Sequence, residues 1–417
     1  MLSPHRCKAR RLLALSLACW ALSGHAQQRI TADEAVALAL SQPHVRQELD
    51  AGVGHARSEV LAARTWSNPE LELLEERDRS APGGDGRETS VVLSQEIELG
   101  GRRGLRIDAA ELGIRAAEVT ARYERARLRG EVLRAYSRAV AAETLRDSWQ
   151  RSATGLATLA DIAGHRHQAG DLSGYESRRI AQASAQAEAD AALADTEARA
   201  ARAHLVGWIG KAALTAELDT TPPLPALPTV SAETGSAELE VLQARREHAA
   251  AQARAERRLA LPLNIGVGTK RVEEAGISDN VMIVELGVPL PLFDRNQAAR
   301  ARAAADSQLA EARYQRALLQ TEGRRAAALA EAAQLSESAR TLLRFAVPEA
   351  ARLTTIARNS FAEGELDLVG LLDAHQAETD VIQQALDQQS RALEALLELQ
   401  LLSPLDPDVP NPTHLKE

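Results

Sequence analysis

His165-Arg166-His167 sets two imidazoles two residues apart, the closest histidine spacing in the chain and the pattern that most suggests a transition-metal ligand set. On a helix, positions i and i+2 point roughly 200° apart, so both rings cannot chelate one ion without unwinding the backbone. Copies related by symmetry would gather more histidines, but no residue pattern calls for that. The pairs Glu75-Glu76 and Glu273-Glu274 flank loop-like segments and read as solvated charges rather than as a cation-attracting mouth. Gly100-Gly101-Arg102-Arg103-Gly104 is too short a signal for a phosphate loop, and no nucleophile elbow or His-Glu zinc motif occurs. No enzyme, cofactor or resident metal is expected. Whatever the chain does, it does through its shape.

That shape is written twice. His55 recurs as His248, Pro69 as Pro262, Arg102 as Arg295 and Gly170 as Gly364, an offset of about 193 residues. In each copy a helix ends at a proline, two alternating strands follow, an arginine marks entry into a very long helix, and a glycine breaks that helix near its far end. The implied layout is a first repeat over 27–218, a Pro-rich linker over 219–230, a second repeat over 231–402 and a disordered tail over 403–417.

Thr31-Ala32-Asp33-Glu34 is a capping box that opens the first helix, which meets Pro43 and resumes to Ala63. Leu71 and Leu73 alternate with Glu70 and Glu72 as a first strand. Thr89 to Leu99 is the second, Leu263 to Val267 the third, and Asn280 to Leu292 the fourth, reached through a loop over Glu273–Asp279. Such runs approach the ~9–11 residues of a tilted membrane strand. Leu105 to Gln168 carries no proline, a rod of roughly 96 Å at 1.5 Å per residue. Ala116, Val119, Tyr123, Ala126, Gly130 and Leu133 mark a seam of mostly small residues along it. Gly170 suits a left-handed helix end, and Ser173 can cap the returning helix. In the second copy a long helix from Arg295 to Phe361 is interrupted at Pro348, then turns over Glu363 to Asp367 and returns from Leu368 to Leu402.

Composition agrees with extended helices rather than a globule. Among 417 residues aromatics are 3%, too few for an ordinary compact core, and charged residues are 26%. A net charge of −9, with arginines interleaved among acids, gives no basis for binding nucleic acid. Residues 1–26 read as a signal peptide: basic residues, an apolar stretch from Leu12 to Leu22, and a small-residue site ending at Ala26. Ala18-Cys19 offers a poorer-fitting lipidation site. Both cysteines, Cys7 and Cys19, fall in this leader. No later apolar run reaches the length of about 18 residues that a membrane helix needs.

Ser94-Gln95-Glu96-Ile97-Glu98-Leu99-Gly100-Gly101-Arg102-Arg103 resembles the strand-to-helix segment of TolC-like outer-membrane efflux proteins, in the form of the CzcC-like heavy-metal branch. Val288-Pro289-Leu290-Pro291-Leu292-Phe293-Asp294-Arg295-Asn296, Asn68-Pro69 and the two glycine turns match the same family. The resemblance implies a fold that is mainly α with a small β part: long antiparallel coiled-coil helices, four membrane β-strands per chain, an internal two-fold repeat and a trimeric α/β barrel. It implies a homotrimer in outer-membrane lipid whose helices project into the periplasm. A periplasmic adaptor would dock on the tip turns Gly170, Asp171, Leu172, Ser173 and Gly364, Glu365, Leu366, Asp367, and an inner-membrane RND-type pump would complete the assembly. Asp373 falls on a gate position of the family, while Gly370 stands where some relatives carry a second acid. The strand-to-helix junctions are Gly100, Gly101, Arg102, Phe293 and Arg295. The expected function is the passive exit duct of a tripartite efflux system for heavy-metal cations. An outer-membrane exporter of drugs or proteins on the same fold, and a soluble periplasmic coiled-coil scaffold, remain open alternatives.

Overall fold

Local signals near the start act as the sequence requires. Thr31 Oγ1 accepts a bond from the Glu34 N–H, and the Glu34 carboxylate accepts one from the Thr31 N–H. The computed structural model describes residues 29–78, 86–219, 235–259, 261–274 and 277–404. The expected leader with Cys7 and Cys19, the Pro-rich linker beyond Asp219, and the tail beyond Pro404 lie outside the described residues.

A two-residue strand β1 (Arg29–Ile30) precedes α1 (Ala32–Ser41) and α2 (Pro43–Arg64). β2 (Glu70–Asp78) and β3 (Gly86–Leu99) lead to α3 (Arg102–Ala169), an uninterrupted helix of 68 residues. α4 (Gly174–Ile209), α5 (Ala212–Thr215) and β4 (Glu217–Leu218) end the first half. α6 (Ala237–Arg257), β5 (Leu261–Glu274), β6 (Ile277–Gly287), α7 (Gln297–Thr341), α8 (Val347–Glu363) and α9 (Leu368–Leu401) form the second. The chain is mainly helical with a small sheet.

These elements divide between two compact units, each built from both halves of the sequence. Among the described residues, one comprises 29–42, 131–219 and 335–391, and the other those within 43–130, 235–334 and 392–404. The first unit has two cores. In one, Tyr136 of α3 is sealed among Val36, Val132 and Leu205, and its hydroxyl donates to Ile30 O at 2.7 Å beside the parallel β1–β4 ladder. Burial pushes this phenol up to about 12. In the other, Leu156, Leu159 and Ala163 of α3 meet Ile180 of α4, Phe361 of α8 and Leu371 of α9. Each such large apolar side chain contributes about 1.5–3 kcal/mol on burial.

In the second unit, Ala116 and Val119 of α3 pack on Val241 and Ala244 of α6, with Tyr123 half-buried beside them. The expected seam is therefore present at its start. Farther along, Val132 and Tyr136 are buried where the seam predicts Leu133, which is only partly covered. A straight helix of 3.6 residues per turn drifts relative to a 3.5 repeat, and the buried face moves with it.

The second unit also holds the four-stranded antiparallel sheet, in the order β2-β3-β5-β6. Three boundaries differ from the sequence expectation. Glu75-Glu76 and Glu273-Glu274 lie within strands rather than loops, because charged cross-strand partners prolong the pairing: Arg87 meets Glu75 at 2.9 Å, and Lys270 pairs with Glu88. β6 ends at Gly287 instead of Leu292, since Pro289 and Pro291 have no N–H for a ladder. The long helix begins at Gln297 rather than Arg295, because Asn296 adopts φ 61° and its N–H bonds to Asp294 Oδ1. The break expected at Pro348 is a π turn over Leu342–Ala346, where the Val347 N–H reaches Leu342 O. Proline cannot supply the next helical donor, and the extra residue absorbs the mismatch.

Candidate functional site

The two helical turns are built alike. At the first, the Gly170 N–H bonds to His167 O at 3.0 Å and the Asp171 N–H to Arg166 O at 2.8 Å. At the second, the Gly364 N–H bonds to Phe361 O at 3.1 Å and the Glu365 N–H to Ser360 O at 2.8 Å. This Schellman pattern satisfies carbonyls left over at a helix end and needs a left-handed residue, which Gly170 (φ 86°) and Gly364 (φ 81°) supply. Leu172 and Leu366 then fold back onto the shared core of Phe361 and Leu371. Ser173 caps α4 through a capping box with Glu176. Asp367 caps α9 by accepting from the Gly370 N–H at 2.9 Å.

The turns are joined by the residue between the two histidines. Arg166 donates to Ala362 O at 2.9 Å and to Phe361 O at 3.5 Å, filling the carbonyl end of α8 with a cation. His167 uses Nδ1 on Leu172 O at 3.0 Å, across its own turn, while His165 is exposed. Among the described residues, no group of three or more His, Cys, Asp or Glu side chains is arranged to hold a metal ion.

α4 and α9 border an open groove of about 730 Å³ directly after the turns. Asp373 lines it from α9, and Glu176, Arg179 and Asp190 line it from α4. Asp373 is exposed there, and Arg179 occupies its repeat-related position. Tyr175 and Val369, also repeat-related, protrude at 77% and 72% exposure. His375 stands in the groove's wall at 6% exposure, and its Nε2 has no hydrogen-bond partner among the described residues. Burial pulls this imidazole below the usual histidine range, and Arg358 adds to that while Glu378 opposes it.

The strand-to-helix junctions lie in the other unit and converge on a residue that sequence reasoning missed. Gly100 and Gly101 turn with φ 92° and 73°, which launches α3 at Arg102. The Arg102 guanidinium meets Glu256 of α6 at 2.6 Å, with the two side chains 16% and 24% exposed. The same carboxylate accepts from Asn296 Nδ2 at 2.6 Å. Arg103 stacks 4.4 Å from the Trp66 ring centroid and donates to Arg64 O. Phe293 is 92% exposed and Arg295 is exposed, so Asn296, not Arg295, takes the anchoring place in the second junction.

Cross-strand partners point to one side of a sheet, so the register sorts its faces. One row reads Leu71, Leu93, Val267, Val284, and the next Leu73, Val91, Thr269, Met282. Every apolar member of these rows is at least 38% exposed. The opposite face reads Glu70, Ser94, Gly266, Glu285, then Glu72, Val92, Gly268, Ile283. One face is thus an exposed apolar band, and the other is acidic, small and mixed. Among the described residues no helix is long and apolar enough to cross a membrane.

Residues 230–403 match the family model described as outer membrane efflux protein. The cobalt-zinc-cadmium resistance protein CzcC of Cupriavidus metallidurans is 28% identical over 343 residues, covering 79% of this chain and 78% of that protein. The nickel-cobalt-cadmium resistance protein NccC of Alcaligenes xylosoxydans xylosoxydans is 28% identical over 291 residues, covering 68% and 66%. The CmeC outer membrane channel of Campylobacter jejuni superposes with a TM-score of 0.72 at 16% identity, covering 89% of this chain and 85% of that one.

Proposed function

We propose that the chain is a member of the outer membrane efflux protein family, whose model matches residues 230–403, and that it is the outer-membrane exit duct of a tripartite system that expels heavy-metal cations. The observation that carries this reading is the one-sided sheet. An exposed band of Leu71, Leu73, Leu93, Val267, Met282 and Val284 is costly in water and favourable against lipid. Open strand edges are not tolerated in a bilayer, and one chain supplies four strands, which favours a closed barrel completed by further copies in a homotrimer. The acidic face of the sheet would then line the lumen. The named metals of CzcC and NccC support the cargo assignment.

In this reading the helices project into the periplasm. Gly170–Ser173 and Gly364–Asp367 present the tip to an adaptor, with Tyr175 and Val369 offering apolar contacts. Asp373 constricts the entrance. The inner-membrane pump, of RND type, supplies the energy. Residues 1–26 direct export. The chain's part is geometric: it holds a passage, opens its tip when its partners engage, and lets cations diffuse outward.

Deleting the coding sequence and plating on cobalt, zinc, cadmium and nickel salts tests the cargo. Lost tolerance, restored by the wild-type chain, is the expected result. Unchanged metal tolerance alongside new sensitivity to organic toxicants would move the cargo to that class, and recovery of the mature chain as a soluble monomer would remove the duct reading altogether.

A further inference from the structure

Resting on the duct reading, we propose that His375 is a pH-sensitive release for the tip: its imidazole is sealed between α9 and α3 in this packing and gains water and a proton when α9 moves off α3. Three observations place the device. The ring is 6% exposed, and its Nε2 has no hydrogen-bond partner among the described residues. Its seat on α3 is a glycine: a Cβ on Gly155 would lie 3.5 Å from His375 Cε1, so the ring rests against that helix. The groove beside it leaves room for α9 to shift.

Neighbouring groups leave the ring unsatisfied. Thr379, one turn on, bonds its hydroxyl to Gln376 O at 2.9 Å and His375 O at 3.3 Å. Thr354 of α8 donates to Ala374 O at 3.0 Å, tying α9 to α8 immediately beside the histidine. α8 and α9 would therefore move together, and the joint that opens is the one against α3. Arg166, bonded to the carbonyl end of α8, is the tie that opposes this separation.

The charges around the ring set the sign. Glu378 on its own helix favours the proton, Arg358 of α8 disfavours it, and Gly155 of α3 carries no charge. Across the groove α4 contributes Glu176, Arg179 and Asp190. Desolvation is the largest influence and favours the neutral ring. The sealed packing is therefore at full strength above the ordinary histidine value of 6.5 and weakens as the pH falls from there through the lowered pKa. Within that window the released-to-sealed ratio rises by up to about tenfold per pH unit.

The test uses full-length protein in planar lipid bilayers, with open-channel occupancy read between about pH 7.5 and about pH 5.5, where histidine titrates. Wild type should open progressively more as the pH falls. His375→Phe keeps a ring but cannot be protonated, and should stay near its pH 7.5 level. A flat wild-type response, or an unaltered slope in His375→Phe, overturns the proposal while leaving a conducting duct intact. Absence of conductance at every pH overturns it together with the duct reading. A second measurement needs no variant: deuterium exchange at the imidazole carbons of wild-type protein, followed by mass spectrometry. His375 should show a midpoint below the ordinary histidine value of 6.5, and a midpoint at or above that value would overturn the proposal.

Discussion

Replacing Glu256 with alanine should loosen both strand-to-helix junctions at once, because one carboxylate serves Arg102 and Asn296. The magnitude follows from the two interactions that the carboxylate makes. A hydrogen bond to a charged group, such as Asn296 Nδ2 to Glu256 at 2.6 Å, is worth about 1.5–3 kcal/mol. Removing one partner of a fully buried ion pair costs about 3–5 kcal/mol. Arg102 and Glu256 retain 16% and 24% exposure, so water recovers part of that, and about 3 kcal/mol in total is expected. Glu256→Gln keeps an oxygen for Asn296 but removes the charge facing Arg102, and should cost about half as much. The assay is a double-mutant cycle on Arg102→Ala and Glu256→Ala, with helix loss followed by far-UV circular dichroism during reversible unfolding in detergent. Coupling of about 1–2 kcal/mol is expected. Arg352 and Glu349, 73% and 60% exposed on α8, provide a control pair whose coupling should stay below about 0.5 kcal/mol. Coupling at Glu256 no larger than at the control would refute the shared-anchor argument.

The helical turns and the sheet each lead to a further outcome. Gly170→Ala and Gly364→Ala place a Cβ in the left-handed region and should each destabilise their turn by about 1–2 kcal/mol, with asparagine recovering part of it; equal amide-exchange protection in wild type and the alanine variants would contradict this. Val284→Lys puts a charge on the exposed apolar face and should reduce recovery in the outer-membrane fraction, at a cost of about 2–4 kcal/mol near mid-bilayer, whereas Ile283→Lys on the other face should be tolerated better; equal losses would remove the face assignment.

What the chain reveals without coordinates is what it encodes locally. Thr31 and Glu34 lie three residues apart, and Ser173 and Glu176 repeat the arrangement, so both capping boxes are legible. Gly170 and Gly364 are legible because few residues end a helix in the left-handed region. Strand limits are less so: nothing near Glu75 in sequence announces that Arg87 will hold it in the ladder. Arg102 and Glu256 stand 154 residues apart, and Gly155 and His375 farther still, so no periodicity exposes either pairing.

Gly370 shows how coordinates change the meaning of a residue already noticed. In the sequence it is an acid missing from a gate. In the structure it is the third residue of α9, the position that Glu176 holds in α4. There Glu176 closes a capping box. At Gly370 a Cβ would stand 2.8 Å from Leu366 Cδ1 and 3.2 Å from both Leu366 Cγ and Asp367 Oδ1. A side chain there would oblige Leu366 to shift and would crowd the carboxylate that caps the helix. The second turn therefore sets Leu366 and Asp367 close against this position, and Asp373 has no neighbouring carboxylate there.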